Sequence, residues 1–313
     1  MRETEKRRYV AEALVFCLAL CRGWGRTRIN RLVSRPGFDP CRAWQAIQSR
    51  NAAELIQSFE TEVHALPVED LPEKIAEAER LVSEVRRRDI QVLLPGDAAY
   101  PPRWRAALNS DAPPFALALG NLELARRDLL GGVAGTREPT LMGRDVARRC
   151  GQSLAEQGAV VVSGGAAGVD TEAHDAALES GGQTIFIVPA DITTYRSAWI
   201  RAAHAGTALF LAECLPGASW STHAAVQRNR LIAALSRALW IVEPREEGGS
   251  IRTARVACSL GRPVACYGPP PSLRAALPWE IIDRPDRITP ASVSEKLGRP
   301  PRRQGDLFQA PDS

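Results

Sequence analysis

The chain has 313 residues, 45% of them hydrophobic and 24% charged. That is close to the globular average, which excludes a collagenous or globally disordered chain and leaves room for about two domains. Net charge is only +4, but residues 1–50 hold 11 Lys/Arg against 4 Asp/Glu while the other 263 hold 29 against 32; such an arm suits either a polyanionic partner or a solvated helix face. The seven cysteines (Cys17, Cys21, Cys41, Cys150, Cys214, Cys258 and Cys266) include no CxxC pair, which argues against a disulfide framework and a zinc site. Cys17 and Cys21 share a helix face, but two ligands do not make a metal site, and none is expected.

In chain order, helices are expected at Val10–Leu20, Thr27–Val33, Ala43–Phe59 and Glu73–Arg88, with a glycine turn at Gly23-Trp24-Gly25 and a linker over 66–72. The apolar run Val10–Cys21 contains Glu12 and is twelve residues long, short of the ~20 that a membrane span needs. No small-residue cleavage site follows it. A cytoplasmic protein with no membrane partner is the expectation. Ile90–Leu94 and Phe115–Leu119 are short apolar runs. Beyond them strands (132–135, 159–163, 184–188, 207–211, 238–243, 263–267) alternate with helices (141–157, 171–179, 196–204, 224–236, 250–260), and Pro263–Tyr267 reads as the last strand. Near-continuous apolar strands alternating with helices predict an α/β fold: a Rossmann-like, doubly wound, mainly parallel sheet covered on both faces. The expected domains are a small all-helical one at 1–75, the Rossmann-like core at 76–270, and an extension at 271–313 that is largely disordered from about 298.

In an open parallel sheet, ligands bind beyond the carboxyl ends of the strands. Gly135-Thr136-Arg137 follows the first core strand and Ser163-Gly164-Gly165-Ala166-Ala167-Gly168 the second. Glycines let a backbone approach a ligand, helix N-termini offer free N–H groups, Thr136 and Ser163 can add hydroxyl donors, and Arg137 can grip a phosphate bidentately. Ordinary tight-turn chemistry would also place glycine there. Gly248-Gly249-Ser250, with Thr253 one turn later, is a third anion-compatible loop. Arg228-Asn229-Arg230 suits phosphate and base contacts. Asp170 and His174, four apart on one helix face, read either as a general acid–base pair or as structural groups. The structural reading is favoured because no nucleophile accompanies them.

These residues carry a resemblance. VVSGGAAGVDTEAHDAALESGGQTIFIV (161–188), QRNRLIAALS (227–236), EEGGSIRTARVACSLGRPV (246–264) and LLPGDAAYPPRWRAALNSDAPPFALALGN (93–121) resemble, in order and spacing, the signatures of the DprA/Smf DNA-processing family. GWGRTRINRLVS (23–34) is similar to its small helix-hairpin-helix-like (SAM-like) domain. The resemblance implies a non-enzymatic core that binds single-stranded DNA, forms a homodimer, and hands the strand to a RecA-type recombinase during DNA recombination or natural transformation, with no cofactor. In that family Gly-Ser-Arg contacts DNA, matched here by Gly135-Thr136-Arg137. Arg196 is the nearest basic residue after Tyr195, and Arg228 and Arg230 match Arg-Asn-Arg. The chain departs from the pattern at Gly165, at Tyr195-Arg196 where the family has Tyr-Pro, and at Gly268-Pro269-Pro270; no winged helix is visible in 271–313.

Two other readings compete. One is a nucleotide-binding or nucleoside-phosphate-hydrolysing Rossmann-like protein related to the lysine-decarboxylase-like family, although Glu246-Glu247-Gly248-Gly249-Ser250 lacks that family's Pro-Gly-Gly run. The other is a small-nucleotide sensor. In the tail, Gln304-Gly305-Asp306-Leu307-Phe308 resembles the peptide that docks on the polymerase sliding clamp, with Gln304, Leu307 and Phe308 as the contacts; folding back of Leu307 and Phe308 onto the core is the plainer alternative.

Overall fold

The computed structural model describes residues 3–298. The clamp-like peptide at 304–308 lies outside the described residues. Two compact units emerge among them, one made of residues 3–100, 108–118 and 213–218, the other of residues 101–107, 119–212 and 219–298.

The smaller unit contains α1 (Glu3–Leu20), α2 (Arg26–Val33), α3 (Pro40–Ser49), α4 (Ala52–Phe59), α5 (Leu71–Arg87) and β1 (Gln91–Leu93). The single helix expected at 43–59 is two. Arg50 takes a left-handed φ of 55° and ends α3, and the Asn51 side chain then accepts from the Ala53 and Glu54 amides to start α4, a capping role that short polar side chains favour. The Ala13–Leu18 stretch of α1 is buried, with Phe16 edge-on to Phe115 at 5.0 Å. Glu12 tolerates burial because Arg8 and Arg86 donate to its two oxygens at 2.7 and 2.9 Å.

The same pattern recurs along the basic arm. Arg7 pairs with Asp39, Arg8 also with Asp97, Arg26 with Asp111, Arg28 and Arg31 with Glu62, and Arg35 with Glu60. Four carboxylates from outside residues 1–50, Glu60, Glu62, Asp97 and Asp111, thus meet part of the +7 excess, a partial compensation that a running count of charge does not reveal.

The chain then runs through α6 (Pro102–Leu108) and β2 (Ala116–Gly120), whose first three residues pair antiparallel with β1. The larger unit continues with β3 (Leu130–Gly135), α7 (Leu141–Glu156), β4 (Val160–Ser163), α8 (Val169–Glu179), β5 (Gln183–Val188), α9 (Ser197–His204), β6 (Ala208–Ala212), α10 (Thr222–Leu235), β7 (Ala238–Val242), α11 (Gly249–Ser259), β8 (Val264–Tyr267), β9 (Glu280–Ile282) and α12 (Pro290–Gly298). Seven parallel strands stand in the order β6-β5-β4-β3-β7-β8-β9.

Both faces are covered, as the apolar runs require. Successive residues of a strand face opposite sides. A Cβ at Gly131 would strike Leu154 of α7, and one at Gly132 would strike Ser236, which caps α10, so α7 and α10 lie on opposite faces. α8 and α12 share the α7 face, where Cys150, Val169, Ala173, Val293 and Leu297 pack with Val133, Val161 and Trp240. Pro263–Tyr267 is not the last strand: β9 pairs with β8, and Ile282 and Ile288 enter the same core. β9 is three residues long in a proline-rich stretch, too short to show a period of its own.

Candidate functional site

The strand order places a switch point between β3 and β7. From β3 the chain builds outward through β4, β5 and β6, then returns to the other side of β3 with β7. The loops leaving the carboxyl ends of these two strands diverge there, and a crevice opens between them, as doubly wound sheets dictate. The cleft gathers Gly135, Thr136 and Arg137 after β3, Gly248, Gly249, Ser250 and Thr253 after β7, and Arg228 and Asn229 from α10.

Each residue type has a local cause. α11 is eleven residues long, and its N-cap, Gly248, supplies no side-chain acceptor; the first-turn amides and the positive end of the helix dipole are an anion site. Asn229 Nδ2 donates to the Gly249 carbonyl at 3.2 Å, fastening α10 to this turn. Thr253 Oγ1 donates back to the same carbonyl at 3.0 Å. Arg137 is exposed, and its guanidinium lies 5.0 Å from the centre of the Trp220 ring, an indole left 49% exposed. Arg245 lines the cleft too and is ion-paired with Glu138; both side chains are exposed, so the pair is worth little and yields readily to another anion.

Below the rim sits a buried pair. Asp170 Oδ2 accepts from the amides of Gly164 at 3.1 Å and Ala166 at 3.3 Å. Burial pushes its carboxyl above the ordinary range, while the Arg228 charge and these amides pull it back. Burial likewise lowers Arg228, which the Asp170 charge opposes. Arg228 Nη1 donates to the Ile187 carbonyl at 2.8 Å. Asp170 thereby shapes the 163–168 loop, and the acid–base reading is disfavoured: both its partners are parts of the scaffold.

Several expected ligand contacts turn out to serve the fold. Ser163 is fully buried and its Oγ donates to the Val133 carbonyl at 2.5 Å, so it offers nothing to a ligand. Gly164 makes room for protein: a Cβ there would lie 1.5 Å from Arg228 Nη1. Gly168 has φ +82°, and a Cβ would lie 2.6 Å from the Thr136 and Arg137 carbonyls; it lets the two loops touch. Gly165, at φ +69°, faces Phe186, Tyr195 and Trp199. Arg196 does not line the cleft; it pairs with Asp175 at 2.7 Å and lies over the Trp199 ring at 4.7 Å. Arg230 is buried on α10, donating to the Gln227 carbonyl at 3.3 Å. Trp220, Thr222 and Arg245 escaped sequence reading. Arg245 had a signal, since it leaves a core strand at its carboxyl end; Trp220 sits in a loop without periodicity.

His174 lies wholly inside, stacked on Phe186 at 3.8 Å, with Nδ1 2.5 Å from Thr184 Oγ1. Because that hydroxyl also donates to the Val161 carbonyl, the imidazole donates from Nδ1, and Nε2 finds no partner among the described residues. Burial drives its pKa well below 6.5. The folded histidine stays neutral while the unfolded one protonates below pH ~6.5, so this group costs stability as pH falls, by about 2 kcal/mol between pH 6.5 and 5. Urea unfolding of the parent and of His174→Gln across that window checks this: the variant's pH profile is expected to be flatter, and parallel profiles would refute it.

Among the described residues, no cluster of three or more His, Cys, Asp or Glu is placed to hold a metal, and no helix is long and apolar enough to cross a membrane. Fold and cleft define a doubly wound α/β protein with a crevice at its switch point lined by Arg137, Arg245 and the uncapped start of α11. The chain belongs to the family described as DNA recombination-mediator protein A, whose model matches residues 91–277. It is 31% identical to Protein Smf of Synechocystis over 206 residues, 63% of this chain and 50% of that one. It is 27% identical to DNA processing protein DprA of Bacillus subtilis over 254 residues, 79% and 82% of the two chains. The crystal structure of DNA processing protein A from Streptococcus pneumoniae shares the fold with a TM-score of 0.67 at 22% identity, covering 91% of this chain and 97% of that one. The chain spans about half the length of the first curated relatives it matches, 47% and 50%.

Proposed function

We propose that the protein binds single-stranded DNA in the β3/β7 cleft and serves recombination without catalysing a reaction on the strand. The observation that carries this reading is the pairing of Arg137 and half-exposed Trp220 on the rim of a cleft floored by the uncapped start of α11. A single strand presents phosphates and unstacked base faces together, and cationic grooves with aromatic platforms take both. A duplex hides its base faces, which leaves Trp220 without a partner.

Family membership supports the further steps: a homodimer, and transfer of the strand to a RecA-type recombinase in natural transformation or another recombination process. The nucleotide-hydrolase reading loses its acid–base pair to the fold, since Asp170 and His174 are engaged beneath the cleft. Competition between labelled single strands and duplexes of equal length tests the proposal. Single strands are expected to win by at least tenfold with little sequence preference, and a preference for duplex would overturn it.

A further inference from the structure

The opposite end of the parallel sheet carries a second cationic cluster that the cleft does not use. The β7/β8 register sets Leu239 opposite Val264; carried back two residues, it sets Arg237 beside Arg262. Neighbouring strands stand about 4.8 Å apart and same-register residues face the same side, so the two guanidiniums start from adjacent positions. Arg237 is pinned there by its backbone amide, which donates to the Leu130 carbonyl at 2.7 Å. Arg103, on α6, joins them: its Nη2 reaches the backbone carbonyl of Asp128, just ahead of β3, at 2.9 Å.

The three charges repel one another. Burial and then Arg237 lower Arg103, and burial, Arg103 and Arg237 lower Arg262. None of the three makes an ion pair within the described residues; the carboxylate of Asp128 acts on Arg103 only at a distance. Arg262 reaches the Ala234 carbonyl at a long 3.5 Å, and its Nε is buried with no acceptor among the described residues. Everywhere in the smaller unit the fold gave buried or half-buried arginines a carboxylate, and here it did not. Clustered guanidiniums with a spare buried donor suit a tetrahedral oxyanion with several acceptor oxygens.

From this juxtaposition we infer that Arg103, Arg237 and Arg262 form a phosphate-binding site at the amino ends of β7 and β8, separate from the cleft. The phosphate comes either from the backbone of a nucleic-acid strand or from a free phosphate ion. The inference goes beyond the proposed function and does not need it. An anion here relieves the mutual repulsion. Arg237 is the residue to change, because among the described residues its side chain makes no hydrogen bond, so its loss is expected to leave the fold intact.

The test uses the full chain carrying Arg137→Ala and Arg245→Ala, which strips both rim arginines from the cleft, and titrates inorganic phosphate calorimetrically against chloride at matched ionic strength. Adding Arg237→Gln is expected to weaken phosphate binding about tenfold, the worth of one charge-assisted hydrogen bond, and to leave anion-free stability to urea unchanged or raised. Undiminished phosphate affinity after Arg237→Gln, no binding beyond chloride, or tighter capture of a poly-glutamate peptide than of phosphate would each overturn the site. So would an Arg237→Gln protein destabilised equally with and without phosphate, which would make the arginine structural. A second arm assigns the source. In the chain with its cleft intact, Arg237→Gln flattening the salt dependence of oligonucleotide binding by about 0.7 in log–log slope identifies a strand phosphate, and an unchanged slope identifies free phosphate. Because the first arm contains no nucleic acid, its failure leaves the cleft proposal standing, and the reverse also holds.

Discussion

Asp170→Ala is expected to destabilise the protein by about 3–5 kcal/mol, the cost of leaving a buried charge uncompensated and two loop amides without their acceptor. The carboxylate is the charge that compensates buried Arg228, and it also accepts two amides of the 163–168 loop. Removing it strands a guanidinium beneath the cleft and frees a loop whose glycines are shaped to that guanidinium. Asp170→Asn keeps an acceptor for the amides but no charge, and is expected to fall between the two. Urea unfolding at pH 7 measures both. A loss of under 1 kcal/mol in Asp170→Ala would mean that Arg228 finds another partner, and the account of the buried pair would be wrong. Domain stabilities of about 5–15 kcal/mol make the predicted loss visible in yield as well as in the midpoint.

Trp220→Ala is expected to weaken binding of a single-stranded oligonucleotide by about 1–3 kcal/mol, or roughly 5- to 150-fold, the range for loss of one base–aromatic stack. The ring is half exposed with Arg137 against it, so its removal opens no cavity and stability should hold. Trp220→Phe should restore most of the affinity, because a smaller ring still stacks, whereas Trp220→Leu, apolar but not aromatic, should not. Fluorescence anisotropy with the four proteins distinguishes stacking from mere apolar contact. Equal binding by parent and Trp220→Ala would remove the aromatic platform from the site.

The sheet was legible in the sequence because its strands are buried on both faces: VVVS, TIFIV and ALWIV leave no ambiguity about environment. The loops that bound the cleft were legible for the same reason, since they follow those strands. What each glycine does was not. Gly164 and Gly168 are the small residues that an anion loop would show, yet the atoms they accommodate are Arg228 Nη1 and the carbonyls of Thr136 and Arg137, contacts that depend on packing across the sheet. The Ser163 hydroxyl, a ligand donor on the sequence alone, turns inward to the Val133 carbonyl. The count of basic residues in the amino-terminal arm did not show that Glu60, Glu62, Asp97 and Asp111 pair with part of it. Trp220 lacked any period that would have singled it out, and the arginine cluster at Arg103, Arg237 and Arg262 draws on three separated segments that only the strand register brings together.

The central claim is that strand phosphates sit against Arg137 in the cleft, and the salt dependence of binding tests it most directly. Affinity of the parent and of Arg137→Ala for a labelled single strand, measured across a range of salt concentrations, gives two lines of log K against log salt. Counterion release predicts a steep slope for the parent, and a slope shallower by about 0.7 for Arg137→Ala, one phosphate contact fewer on a single strand. Parallel lines, or a parent whose affinity ignores salt, would contradict it.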